Sequence, residues 1–241
     1  MSGMSGEDSE NGAGRDAILG AIRQSLKRGA LSEAGRRELD ERMARHPVSL
    51  LPQRAKGAER ELVERFVAMA EQAACSVARL ANVAEVPKAA GDYLRGNNLP
   101  LALVVAPEQA LQALPWQDEP LLRRRVGAAE NEDLASLTPA FAAVAETGTL
   151  VLTSGPGHPS TLNFLPDHHL VMLKASDIVG GYEAAWSRLR AQFGAGQMPR
   201  TVNLVTGPSR TGDIELIIQL GAHGPRRLHI LLVDDAAATP D

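Results

Sequence analysis

The chain has 241 residues, 44% of them apolar, and a formal charge of −4 from 25 Lys or Arg against 29 Asp or Glu. That excludes disorder throughout, allows one good-sized domain, and gives no electrostatic reason to expect a nucleic-acid partner or an anionic membrane. A single cysteine, Cys75, excludes an intramolecular disulfide and an iron–sulfur cluster or four-thiolate zinc held by this chain alone, and the lack of a basic-then-apolar leader or a membrane-length apolar run gives the expectation of a cytoplasmic protein without membrane insertion.

Residues 1–14 are mostly Ser, Gly, Glu, Asp and Asn and are expected to lack order. A helical arm is expected over 15–57. In it Ile18, Ile22 and Leu26 recur at spacing four, with Gly29 suited to end the helix. Ser32 is placed to cap a charged helix over 33–45, which His46-Pro47 stops. The thin apolar face of this arm, Leu39 and Met43 in the second helix, asks for another surface, either the following domain or a second copy of the chain.

The domain expected over 58–241 alternates between two periodicities. A helix over 58–74 runs into a strand at 76–80, a helix over 86–94 precedes a strand at 101–105, and 107–111 forms a short helical turn. The segment 126–144 is ambiguous, because its alanines fit a helix that Pro139 would interrupt. Strands follow at 149–152 and 170–173, then a helix over 176–190 weakened by Gly180-Gly181, and strands at 201–205 and 228–233. The alternation predicts an α/β domain with a largely parallel sheet flanked by helices. Arg123-Arg124-Arg125 reads as a solvated face.

The densest polar turn is Gly207-Pro208-Ser209-Arg210-Thr211-Gly212-Asp213-Ile214-Glu215, read as the loop that leaves a strand and opens a helix. Such a connector needs one cap, and Ser209, Arg210, Thr211, Asp213 and Glu215 are an excess. Arg210 suits a two-pronged contact with a small carboxylate, with Ser209, Thr211 and the amides near Gly207 around it; the alternative is that it pairs with Asp213 or Glu215. One arginine against two carboxylates disfavours a di- or triphosphate cradle, and neither a P-loop nor a dinucleotide fingerprint is present.

Two further segments carry polar groups. Glu146-Thr147-Gly148 suits a tight turn with Gly148 at positive φ; Glu146 is the candidate catalytic residue, a proton acceptor or nucleophile, unless it merely bonds the amides of its own turn. The stretch 157–169 holds Ser160, Asn163, His168 and His169. Neighbouring strand residues face opposite ways, so at most one of the two histidines faces a cleft; His168 is taken as the ligand-binding one, and no metal is expected. His223, before Gly224-Pro225, orders a turn or touches the ligand, His229 reads as a satisfied core histidine, and Cys75 as an inert buried thiol. A binding role requires the three segments to converge on one pocket.

Residues 145–154, 161–173 and 205–233, the last with Gly221-Ala222-His223-Gly224-Pro225, resemble the LUD-domain family of lactate-utilisation proteins, in particular its protein C branch. The resemblance covers roughly 77–234, and Gly212 stands where the family commonly has alanine. It implies a fold similar to the sugar-phosphate isomerase and CoA-transferase group, with the ligand cleft at strand ends. It also implies a non-redox subunit or accessory in bacterial oxidation of L-lactate to pyruvate, binding a small hydroxy or keto acid, or a partner. Iron–sulfur clusters are then expected in two partner proteins, and no cofactor in this chain. Two other readings stand beside it: an independent enzyme on CoA esters, sugar phosphates or folates using Glu146, and a ligand-sensing or assembly module without chemistry.

Overall fold

The structure, a computed structural model, describes residues 7–27, 29–48, 50–194, 196–211 and 219–235. They fall into two compact units, Met1–Ser49 and Leu50–Asp241.

The first unit holds α1 (Glu7–Ser25) and α2 (Glu33–Arg45). Because α1 starts at Glu7, helix reaches into the stretch expected to lack order, and only residues 1–6 of it lie outside the described residues. The capping signals of α2 act as read. Ser32 Oγ accepts from the Gly35 N–H at 3.1 Å, and His46 closes the helix in the left-handed conformation, its N–H donating to the Arg42 carbonyl. Residues 50–57, read as part of the arm, belong instead to the second unit.

The second unit opens with a 3-10 turn at Gln53–Ala55 and then α3 (Glu59–Gln72), β1 (Ser76–Leu80), α4 (Val86–Gly96), β2 (Ala102–Val105) and α5 (Gln109–Gln112). Next come β3 (Arg123–Val126), β4 (Ala135–Pro139), β5 (Ala142–Val144), β6 (Thr149–Thr153), α6 (Thr161–Phe164) and β7 (His168–Lys174). The chain continues through β8 (Ile178–Val179), α7 (Tyr182–Phe193), β9 (Val202–Val205), β10 (Arg210–Thr211), β11 (Gln219–Leu220) and β12 (Arg227–Val233).

Six strands form one sheet in the order β1-β12-β7-β4-β2-β3, and every neighbouring pair is parallel. A second sheet, β8-β5-β6-β9, is mixed, and β10 with β11 makes a short antiparallel ribbon. Both faces of the sheet's interior are covered, which is why β2, β7 and β12 carry buried apolar runs without alternation. Leu170, Met172, Leu231 and Val233 pack with Leu94 of α4 on one face; Val171, Leu173, Ile230 and Leu232 pack with Phe66 of α3 and with Leu150 and Leu152 of β6 on the other. The far side of the small sheet, Ala142, Val144 and Val151, is covered by Ala185 and Leu189 of α7.

The segment 126–144, left open between helix and strand, holds no helix: after a loop over 127–134 it forms β4, ending at Pro139, and β5, beginning at Ala142. One expectation is corrected. The helix expected over 176–190 begins only at Tyr182, because Gly180-Gly181 breaks it after the short strand β8. A Cβ on Gly180 would lie 1.8 Å from the Ala55 carbonyl oxygen, so this glycine lets the Gln53–Ala55 turn pack against the small sheet. The triple arginine is the outer strand β3, where Arg124 lies over the Trp116 ring and Arg125 pairs with Asp133 and Glu130. Charge on an edge strand discourages pairing with another chain. Among the described residues no helix is long and apolar enough to cross a membrane.

Candidate functional site

The polar loop leaves the carboxyl end of β9 as expected, but it meets the larger sheet at its amino-terminal edge, where β7 and β12 begin. Gly207 has φ 81°, and a Cβ there would lie 2.2 Å from the Ala73 carbonyl oxygen, so the loop lies directly on the C-terminal end of α3. Arg210 reinforces the contact by donating from Nη2 to that same carbonyl, which satisfies one group left open by the ending helix. Ser209 is the stitch to the following turn. Its N–H donates to the Pro225 carbonyl at 2.8 Å, its own carbonyl accepts from Gly221, and its hydroxyl accepts from the His223 N–H at 3.3 Å. The helix expected to open here, with Asp213 and Glu215, lies outside the described residues; the backbone of Arg210 and Thr211 pairs antiparallel with Leu220 and Gln219.

These segments enclose a cavity of about 290 Å³ whose polar lining includes Asn163 from α6, His169 from β7, Thr206, Ser209, Arg210 and His223, with Leu204, Val205 and Leu228 as apolar wall. Asn163 is 6% exposed and His169 1%. His169 Nε2 lies 2.8 Å from Thr138 Oγ1, while Nδ1 is buried without a hydrogen-bond partner. Burial drives the pKa of this ring down to about 3, so it is a neutral imidazole at physiological pH. A buried polar atom without a partner calls for an explanation. Together an amide, a hydroxyl, a guanidinium and a neutral imidazole can address both the carboxylate and the adjacent oxygen of a small hydroxy or keto acid.

The convergence expected from sequence is therefore partial. Asn163, Gly207, Ser209, Arg210 and His223 line the cavity, whereas Glu146, Thr147, Gly148, Ser160 and His168 do not. Of the two strand histidines, His169 and not His168 lines this cavity. His168 points to the other face of the sheet, its Nδ1 2.9 Å from the Tyr93 hydroxyl, with its pKa lowered by burial and then by Arg227. Both faces of β7 are apolar, so periodicity could not decide which histidine meets a cavity.

Glu146 is buried at the turn after β5, where its Oε1 accepts from Arg54 Nε at 2.8 Å; it bonds neither the amides of its own turn nor a group of the cavity. Gly148 has φ 67°, as read, and a Cβ there would sit 2.5 Å from the Ala70 nitrogen, so this turn also rests on α3. A chain of hydroxyls joins it to the loop after β9: Thr147 Oγ1 and Thr149 Oγ1 are 2.7 Å apart, and Thr149 Oγ1 and Thr206 Oγ1 2.6 Å, with the Tyr182 hydroxyl touching both Thr147 and Thr149. Arg54, Thr138, Tyr182 and Thr206 were missed because each stands alone in sequence and meets the site only through long-range contacts. His229 is a satisfied buried histidine on Ser76, and Cys75 is a buried thiol pushed up to about 11 by desolvation. Among the described residues no group of three or more His, Cys, Asp or Glu is placed to hold a metal ion.

Arg54→Met should cost about 1–3 kcal/mol, since it leaves the Glu146 carboxylate buried without its donor. A urea midpoint equal to that of the unaltered protein would show that the pair contributes nothing.

The LUD-domain family model matches residues 63–233. A protein named lactate utilization protein C from Shouchella clausii (strain KSM-K16) is 31% identical over 113 residues, 47% of this chain and 49% of that protein. One of the same name from Geobacillus sp. (strain WCH70) is 37% identical over 93 residues, 38% of this chain and 39% of that protein. The match thus spans about half or less of the length of these curated relatives. The crystal structure of a DUF162 family protein from Deinococcus radiodurans superposes with a TM-score of 0.53 at 22% identity, covering 74% of this chain and 99% of that one, and shares its α/β fold. With the family model matching most of its length, the chain belongs to the LUD-domain family.

Proposed function

We propose that this protein is a non-redox component of a bacterial system that oxidises L-lactate to pyruvate, and that it binds the small acid in the cavity between α6, β7 and the 207–210 loop. The observation that carries this reading is the convergence of Asn163, His169, Ser209, Arg210 and His223 from three sequence segments on one cavity. At about 290 Å³ it lies just below the roughly 300–1,000 Å³ usual for small-molecule sites, which favours a compact ligand over a coenzyme. The names of the two curated relatives supply the lactate context.

If Thr138 donates to His169 Nε2, Nδ1 carries the proton and serves a carboxylate or keto oxygen; if Nε2 carries it, Nδ1 accepts from a hydroxyl. Either tautomer suits one end of a hydroxy acid. Ser209 and Asn163 add neutral polar groups, and Arg210 adds charge. Electron transfer is assigned to iron–sulfur partner proteins, because a single buried cysteine with a raised pKa is no ligand set for a cluster. Glu146 is read here as a positioning residue, a role supported by its bond to Arg54 of the Gln53–Ala55 turn. The independent-enzyme reading that depends on Glu146 has no support from its position outside the cavity.

The test is lactate-dependent dye reduction by the iron–sulfur partners with and without this chain. Activity should require the chain and should fall about tenfold or more with Asn163→Ala or His169→Phe, each of which removes at least one hydrogen bond to the ligand. Full activity of the partners alone would remove the proposal. Glu146→Gln should mainly lower folding stability; loss of turnover in a folded Glu146→Gln protein would restore the enzyme reading.

A further inference from the structure

A second cleft, of about 600 Å³, opens at the amino-terminal edge of the parallel sheet and shares the walls Pro208, Arg210 and Leu228 with the smaller cavity. Among the described residues three guanidiniums line it, Arg210 from the loop after β9, Arg226 just before β12 and Arg227 at its start, against one carboxylate, Asp167. In a chain of formal charge −4 this is a local inversion of sign. Among the described residues, two of the three guanidiniums are each held by one contact: Arg226 Nε lies 3.3 Å from Asp167 Oδ1, and Arg210 Nη2 donates to the Ala73 carbonyl. A guanidinium has five N–H groups, so one such anchor orients the fork without consuming it. The floor adds Ser76 and His168.

We propose that this cleft binds a phosphate dianion, either inorganic phosphate or the phosphoryl group of a small metabolite, through Arg210, Arg226 and Arg227. A monocarboxylate would leave part of the positive surplus uncompensated, whereas a tetrahedral dianion offers enough acceptors for paired N–H contacts from more than one guanidinium. Sequence alone disfavoured phosphate because it weighed only the charges within the 207–215 loop; the fold adds Arg226 and Arg227, sixteen and seventeen residues downstream of Arg210, together with Asp167. The cleft and the cavity share Arg210, whereas Arg226 and Arg227 line the cleft alone, so changes at those two arginines test the cleft without touching the cavity.

The test is calorimetric titration of the full chain with sodium phosphate and with glycerol 3-phosphate at constant ionic strength, set against chloride. Saturable binding is expected, weakened about tenfold or more in the Arg226→Gln/Arg227→Gln double variant, whose two changes are exposed and spare the core. Tighter binding of the ester assigns the site to a metabolite, and equal binding to inorganic phosphate. As a second readout, the His168 ring titration should move to higher pH on adding phosphate, because the anion offsets the influence of Arg227. Heats equal to those of chloride, or a double variant that binds phosphate as the original does, would overturn the proposal. A lactate response that survives in the double variant separates this outcome from the fate of the acid-binding cavity.

Discussion

Gly207→Ala is expected to lower the free energy of unfolding by more than about 3 kcal/mol. Two costs combine. At φ 81° an L side chain is strained, and the new Cβ would lie 2.2 Å from the Ala73 carbonyl oxygen and 3.2 Å from its carbon, which are backbone atoms of the helix end and cannot swing aside. Relief would have to lift the loop from α3. That would break the Arg210 contact to Ala73 and loosen the Ser209 bonds to Pro225 and His223. Gly148→Ala should behave alike, with φ 67° and a Cβ 2.5 Å from the Ala70 nitrogen. Gly155 is the control: nothing lies within 4 Å of its Cβ, and alanine there should change stability by less than about 0.5 kcal/mol. Chemical unfolding of the three variants checks this, and a Gly207→Ala midpoint close to that of Gly155→Ala would deny that α3 supports the loop.

Acidification should destabilise the protein well above the range in which carboxylates titrate. His169 is held down to about 3 and His229 to about 4, in both cases first by burial, against an ordinary value of 6.5. Below pH 6.5 the unfolded chain therefore binds protons that the folded chain refuses, so stability is full above about pH 6.5 and falls as pH drops towards 4. At pH 5.5 the loss is about 1.4 kcal/mol for each histidine. The pH dependence of unfolding free energy between 7 and 4.5 should thus report about two extra protons from these two rings, with His168, also lowered, adding to them, and His169→Gln should remove one. An unchanged slope in that variant would mean that His169 is charged or solvated in the folded state.

Much of this fold could be read from local chemistry. Ser32 capped its helix where a hydroxyl before a charged run should, Gly148 took the left-handed turn, and the apolar runs at 76–80 and 228–233 became adjacent parallel strands. What could not be read was set by distance. The segment 126–144 has helix-forming alanines, and pairing with β7 and β6 overrides that propensity. The helix expected across Gly180-Gly181 begins only after that pair, and what the glycine makes room for, Ala55, stands more than a hundred residues earlier. The same holds for the site. The 207–210 loop, Asn163 and His223 were legible as polar excess in turns, but which strand histidine they would meet depended on which sheet face carries α3. Glu146 was misplaced for a related reason: its partner Arg54 stands 92 residues away, and a carboxylate beside a tight glycine turn looks the same whether it faces a cleft or a guanidinium.

The cavity's role is tested most directly by titrating isotope-labelled protein with L-lactate and with pyruvate while following the ring nitrogens of His169 and the side-chain amide of Asn163. Saturable shifts of both are expected, with His229 unmoved; an unchanged His169 ring and Asn163 amide at high millimolar concentrations of either acid would contradict the assignment.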